Sequence, residues 1–393
     1  MKNASYDELR ILRERAGRIA GSLPPLERDK DGRLTPSSRD ALQTHMRRVL
    51  RQNRCVGASV ILCPPDAPAE CFHFGYARLH PKTPVAANTC FRIASVSKLV
   101  MTFAALSLME DGLVDLDADI SAYLGYPVRH PAHPDTPVTL HMLLTHTASI
   151  TDDGPYGTRG MQPGCTLAEL LASPGSWLHT APGEAFYYSN LGAGAAGVVL
   201  ERAAGMPFDD ILKARVFDPL SIRASYDPRR IVPACDLADG YSIRGILPPR
   251  LRYDAAALSA RPPEPFEPER DYLIAAGRMI TDSAGMERLV RLLASRDGIG
   301  VLSPASLALM RTEQPGAGRG LNVAFLPNVF EGFSPVGHQG VAYGMCAELF
   351  ADPDTGAGVG VMTSGVRLVR KPPLMRAGFD LLALGFAALR QKD

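Results

Sequence analysis

The stretch Phe91-Arg92-Ile93-Ala94-Ser95-Val96-Ser97-Lys98 opens an apolar run that continues through Leu99, Val100, Met101, Phe103, Ala104, Ala105, Leu106 and Leu108 to Met109. The run is apolar on nearly every side, the pattern of a helix enclosed by the protein, and Asp111-Gly112 ends it. At 3.6 residues per turn Ser95 and Lys98 lie one turn apart on the same face, so an amine approaches a hydroxyl inside the protein. Ser95 falls at the helix start, where free N–H groups and the helix dipole favour a developing negative charge. A serine hydroxyl needs an adjacent base to act as a nucleophile, and a desolvated lysine supplies one. Taken alone the tetrapeptide also reads as a helix cap followed by a surface lysine, so the rest of the chain has to decide.

Composition narrows the field. A chain of 393 residues exceeds the usual ceiling for one hydrophobic core, and its 46% hydrophobic content fills two lobes. The formal charge of +1, from 42 basic and 41 acidic residues, gives no electrostatic case for nucleic acid or an anionic membrane. Small molecules are the expected partners, and the oligomeric state is left open. The first residues, from Met1 to Arg10, lack the apolar segment of a secretory signal, and no run reaches bilayer length, so a cytoplasmic location is expected. Seven cysteines, Cys55, Cys63, Cys71, Cys90, Cys165, Cys235 and Cys346, form no Cys-x-x-Cys and read as reduced, buried thiols.

Periodicity predicts a surface helix over Asp7 to Ala20, a charged linker over Glu27 to Gly32, and a helix after Thr35-Pro36 with Leu42, Met46, Val49 and Leu50 on one face. Arg47, Arg48, Arg51 and Arg54 lie mostly off that face and read as solvated. Val56–Leu62 and Glu70–Ala77 read as an antiparallel pair joined through Pro64-Pro65-Asp66. Between Leu113 and about Pro265 the chain turns helical and proline-rich. A helix is expected from Asp282 to Ser295, strands at Asn322–Leu326, Tyr343–Ala351 and Gly358–Thr363, and a last helix carrying Leu374, Phe379, Leu382, Phe386 and Leu389. Strands at both ends and helices between them predict an α/β (α+β) fold, an antiparallel sheet flanked by helices and built from both ends of the chain, with an inserted mostly helical lobe. The expected division is 1–35 as N-terminal helix and linker and 36–393 as the main domain. Within that domain the α/β part spans about 36–92 and 276–393, and the helical lobe about 93–275.

Two further stretches carry chemistry. Pro182-Gly183-Glu184-Ala185-Phe186-Tyr187-Tyr188-Ser189-Asn190 sets a tyrosine and an asparagine two apart just before a helix. A tyrosine beside a cation relays protons, and an asparagine donates to a substrate carbonyl while accepting from an ammonium; a half-buried tyrosine and a helix cap are the plain alternatives. Gly337-His338-Gln339-Gly340-Val341 comes immediately before an expected strand, and its glycines allow close approach of a substrate to backbone N–H groups. On its own it is an ordinary glycine-rich turn. No His-Glu-x-x-His, Gly-x-Ser-x-Gly elbow or phosphate loop competes, so neither cofactor nor metal is expected. Trp177 reads as core.

In this order the three stretches resemble those of the serine hydrolases of the class C β-lactamase, DD-peptidase and family VIII esterase group, penicillin-binding-protein-like enzymes with the Ser-x-x-Lys motif. The likeness runs from about Val56 to Ser364 and includes Phe74-Gly75-Tyr76-Ala77, Leu143-Leu144-Thr145-His146-Thr147, Tyr188-Ser189-Asn190-Leu191-Gly192 and Asp218-Pro219-Leu220. It implies the β-lactamase/transpeptidase-like fold, with Ser95 as acylated nucleophile, Lys98 as its basic partner and Tyr188 as the residue passing the proton. Asn190, His338 and Gly340 would bind substrate, and the backbone N–H groups of Ser95 and Val341 would form the oxyanion hole. The substrate would be a small ester, amide or β-lactam. His338 stands where many members carry a lysine, and a histidine is only partly charged near neutral pH, which favours an ester or small amide over a β-lactam. An acyltransferase using the same acyl-serine, or a silent ligand-binding relative, are the alternatives.

Overall fold

The computed structural model describes residues 5–159, 165–233, 236–244, 247–262, 271–366, 370–371 and 374–390; Cys235 and the boundary near Pro265 lie outside them. A seven-stranded antiparallel sheet is drawn from both ends of the chain. Its strands are β1 (Gly57–Cys63), β2 (Glu70–Leu79), β3 (Lys82–Pro84), β4 (Ala324–Phe325), β5 (Val336–Ala342), β6 (Met345–Ala351) and β7 (Gly358–Ser364), in the order β3-β2-β1-β7-β6-β5-β4. β1 sits between β2 and β7, with Gly57 opposite Gly75 on one side and Ser364 on the other.

The sheet is covered on both faces, which is why β1, β6 and β7 are buried at every position instead of alternating. The principal helices are α1 (Tyr6–Ala20), α2 (Pro36–Gln52), α3 (Val96–Glu110), α4 (Asn190–Ala204), α5 (Ser283–Ala294) and α6 (Arg376–Leu389). On one face Ala58, Val60, Leu62, Val359 and Val361 meet Leu42 and Met46 of α2 and Phe379, Leu382 and Phe386 of α6. On the other, Gly358 and Gly360 let α5 lie close, for a Cβ at either would meet Val290 or Met286 within 2.5 Å. α1 packs on α6, pinned by a two-pronged pair from Arg15 to Asp380 at 2.6 and 2.7 Å. The charged stretch after α1 is tied down as well: the buried carboxylate of Glu70 accepts from Arg28, the Leu34 N–H and Arg39.

Most expected elements form where the sequence places them, with two shifts. Leu374 lies in a short extended segment before α6, not on the helix. Gly337 to Val341 does not precede a strand but lies inside β5, and the turn follows at Tyr343 (φ +51°) and Gly344 (φ +83°). The glycines are there for space. A Cβ at Gly337 would meet Leu349 O at 2.0 Å, and one at Gly340 would meet Ile93 O at 2.1 Å. No helix among the described residues is long and apolar enough to cross a membrane.

α3 runs through the middle of the molecule, and every residue from Val96 to Leu108 is buried. It packs against α4, the short helix Ile274–Gly277 and β5. Each large apolar side chain on it contributes about 1.5–3 kcal/mol by burial. That sum offsets the cost of enclosing one amine, Lys98.

Candidate active site

Ser95 sits at the cap of α3, directly after Ala94, whose φ of +47° is rare for a residue with a side chain and costs on the order of 1 kcal/mol. A neighbouring segment holds that bend. Ile93 N–H donates to Met279 O at 2.9 Å, Met279 N–H to Ser97 Oγ at 3.1 Å and Arg92 Nε to Gly277 O at 2.8 Å, while Ser97 Oγ donates to Ala94 O at 2.5 Å. Ser97 is thus enclosed and engaged with backbone, whereas Ser95 is half-buried and its Oγ meets Lys98 Nζ at 3.3 Å.

Lys98 is fully buried, and each of its three donors has an acceptor: Ser95 Oγ, Asn190 Oδ1 at 2.8 Å and the main-chain oxygen of Ala276. Asn190 opens α4, and its amide is oriented from behind by Asp152. That carboxylate accepts from Asn190 Nδ2 and Asn190 N at 2.8 Å each, from Ser189 Oγ at 2.8 Å and from Leu191 N at 3.0 Å. A chain of contacts therefore runs from Asp152 through Asn190 and Lys98 to Ser95. The sequence reading missed Asp152, because an aspartate in a loop after a Thr-rich stretch carries no signal until the fold sets it under α4.

Tyr188 is half-buried, with Lys98 Nζ 5.0 Å from its ring centre. Its ring lies 4.5 Å from that of His146 and 6.2 Å from that of His338. Phe186 meets His146 edge-on at 5.9 Å. The buried guanidinium of Arg319 lies 4.9 Å over the Phe186 ring and donates from Nε to Val323 O at 3.3 Å.

His338 is 1% exposed, and its Nδ1 pairs with Gln339 O at 2.6 Å, which makes Nδ1 the protonated nitrogen. Burial, together with the charges of Arg319 and Lys98, holds its imidazole well below the ordinary value. This corrects the expectation of a partly charged histidine: position 338 is neutral near pH 7. The buried cation near the tyrosine, besides Lys98, is Arg319, which burial lowers only to about 10 and leaves charged. Sequence alone did not single it out, since nothing in Gly318-Arg319-Gly320 announces burial.

The three stretches are brought together. Ser95, Tyr188, Asn190 and Val341 are half-buried, while Lys98, His338 and Gly340 are buried. β5 passes so near the α3 cap that a Cβ at Gly340 would meet Ser95 N at 2.7 Å. Past Gly337 the outer edge of β5 has no strand partner among the described residues. His141 and His146 turn to different partners, His141 to Gln314 at 2.9 Å, and no set of described residues is placed to hold a metal. Trp177 is buried and donates to Leu171 O at 3.0 Å.

The sequence matches the family described as Beta-lactamase over residues 41–378. The chain belongs to the Beta-lactamase family. As a member it is a serine hydrolase, an enzyme with esterase and penicillin-binding-protein relatives. Esterase EstB of Burkholderia gladioli is 29% identical over 329 residues, covering 76% of this chain and 80% of EstB. Penicillin-binding protein 4* of Bacillus subtilis (strain 168) is 28% identical over 151 residues, 37% of this chain but only 32% of that protein. The solved structure "EstCE1, a hydrolase with promiscuous acyltransferase activity" superposes with a TM-score of 0.69 at 26% identity, over 89% of this chain and 98% of the other.

Proposed function

We propose that this member of the Beta-lactamase family cleaves an uncharged ester or small amide through an acyl-Ser95 intermediate. The observation that carries the reading is the approach of Lys98 Nζ to within 3.3 Å of a half-buried Ser95 Oγ, with Tyr188 beside the same amine. Ser95 Oγ attacks the carbonyl carbon. As Lys98 takes the Ser95 proton it hands one of its own to Tyr188, whose phenol proton goes to the departing alkoxide or amine, and the oxyanion rests on the N–H groups of Ser95 and Val341. Water then attacks the acyl carbon, gives its proton to Tyr188, and Ser95 Oγ leaves with a proton. Asn190 holds Lys98 and the substrate amide or ester oxygen.

Preference for an uncharged substrate follows from His338, whose neutral ring offers no counter-charge to a carboxylate on the strand that flanks the oxyanion. Transfer of the acyl group to an alcohol is a second reading, supported by the likeness to EstCE1.

The test exposes the protein to short-chain nitrophenyl esters with and without an added alcohol, a chromogenic cephalosporin and a D-Ala-D-Ala peptide, with intact-mass detection of the acyl-enzyme. Ester turnover and one acyl adduct at Ser95 are expected. A fluorophosphonate should label Ser95 once, and Ser95→Ala should abolish the label. Lys98→Ala and Tyr188→Phe should each lower kcat on the order of a thousandfold, and the pair little more, since residues acting as a unit are not additive. A label on Ser97 or Ser189 overturns the nucleophile, and faster cephalosporin than ester turnover overturns the substrate class.

A further inference from the structure

His146 belongs to none of the steps above, yet it touches four consecutive residues of the tyrosine loop. Its main-chain oxygen accepts from Tyr187 N at 2.8 Å, and its Nδ1 accepts from Ser189 N at 3.3 Å. Its ring lies against Tyr188 and meets the edge of Phe186. Tyr188 is therefore held by its own ring face and by the backbone on either side, all from one residue.

Two features say that the imidazole is retained at a cost. His146 ends the helix Leu140–Thr145 with φ +60°, a conformation glycine adopts without strain. With Nδ1 accepting, the ring proton sits on Nε2, which is buried and has no hydrogen-bond partner among the described residues, an uncompensated loss of hydration. A helix end needing only a left-handed residue would not carry both.

We infer that His146 is the positioning residue for Tyr188, fixing the plane and depth of the phenol so that its hydroxyl serves both Ser95 and the leaving group. The inference rests on the reading of Tyr188 as the proton-passing residue. It requires a neutral ring, because a protonated Nδ1 cannot accept from Ser189. Burial and the nearby charges of Arg319 and Lys98 hold the imidazole in that form.

A double-mutant cycle in the full chain tests it, with a neutral nitrophenyl ester as substrate. His146→Asn keeps an acceptor near Nδ1 and tolerates positive φ, but removes the ring from Tyr188; His146→Phe keeps a ring and removes the acceptor. Either change should lower kcat about 10- to 100-fold with KM within about threefold, the scale of a misplaced reacting group. In the Tyr188→Phe background the same change should have almost no further effect. Unchanged kcat in both variants, or a second full multiplicative loss in the Tyr188→Phe background, overturns the positioning role while leaving Tyr188 in place. Wild-type rates for Tyr188→Phe alone would instead overturn the reading of Tyr188 on which it rests. The cycle is run on whichever His146 variant folds; failure of both to fold assigns His146 to stability and also overturns the proposal.

Discussion

Removing Asp152 should disable Lys98 without touching it. The carboxylate accepts four hydrogen bonds, two on each oxygen, and among the described residues it is the acceptor that the Asn190 NH2 group meets. A hydrogen bond to a charged group contributes about 1.5–3 kcal/mol where it is buried, and about half of that here, since Asp152 is half-buried and water replaces some partners. Asp152→Ala should therefore cost about 3–6 kcal/mol, read from urea unfolding monitored by circular dichroism. Asp152→Asn should cost less. Its NH2 group turns toward Ser189, whose hydroxyl rotates to accept, and the Leu191 N–H alone loses its partner at about 1–3 kcal/mol. Turnover separates the two variants further. In the alanine variant Asn190 swings free and Lys98 loses its 2.8 Å acceptor, so kcat should fall about 10- to 100-fold. In the asparagine variant Asn190 stays oriented and kcat should fall less than about tenfold. Equal stability and equal kcat in Asp152→Ala and wild type would refute the chain of contacts. So would full additivity between Asp152→Ala and Asn190→Ala, because the two would then act separately.

His338 is neutral, so KM for a carboxylate-bearing substrate should be flat between about pH 6 and 8, and a midpoint near roughly 6.5 would show a titrating imidazole. The same burial acts on stability: the pKa lies below its unfolded value, so stability present above roughly pH 6.5 is lost as pH falls, by about 1.4 kcal/mol per unit for this group. His338→Gln should reduce that slope in the Tm profile without abolishing it, because buried His146, lowered in the same way, keeps its own share, while buried Glu348, whose pKa burial raises, contributes with the opposite sign in both proteins. Gly340→Ala should lower kcat by about a hundredfold or more, since its methyl group meets the backbone of Ile93 and Ser95 and the oxyanion geometry has to give. A wild-type rate for that variant would place β5 farther from the nucleophile than observed.

The legible parts of the site were those written in local sequence. A run of apolar residues behind Ser95 specifies a buried helix, and that alone fixes the distance between a hydroxyl and an amine one turn apart. Tyr188 and Asn190 were found by their spacing before α4. What stayed hidden depends on main-chain atoms and on residues far apart in sequence. Ala276 contributes only its carbonyl to Lys98, which any residue type would do. Asp152 and Arg319 sit outside helices and strands, and their neighbours, α4 for Asp152 and Phe186 and Val323 for Arg319, are set by the fold and not by local sequence. The glycines of β5 misled because glycine in sequence suggests a turn, whereas here each makes room for a neighbouring backbone in an extended strand. The sheet built from both ends of the chain was legible because strand-rich segments flank a long helical interval, and no local pattern showed that β1 would lie against β7.

That pairing sets a timetable for synthesis. β1 is complete at Cys63, but its neighbour β7 starts only at Gly358. At about 5–20 residues per second the ribosome takes on the order of 15–60 s to cover that interval. Throughout it β1, an interior strand of the sheet, has one unpaired apolar edge, and the β1–β2 hairpin offers a template for pairing with another nascent chain. Closure of the sheet therefore waits until most of the chain has been made, and a ribosome that stalls before Gly358 releases a product with β1 open along one edge.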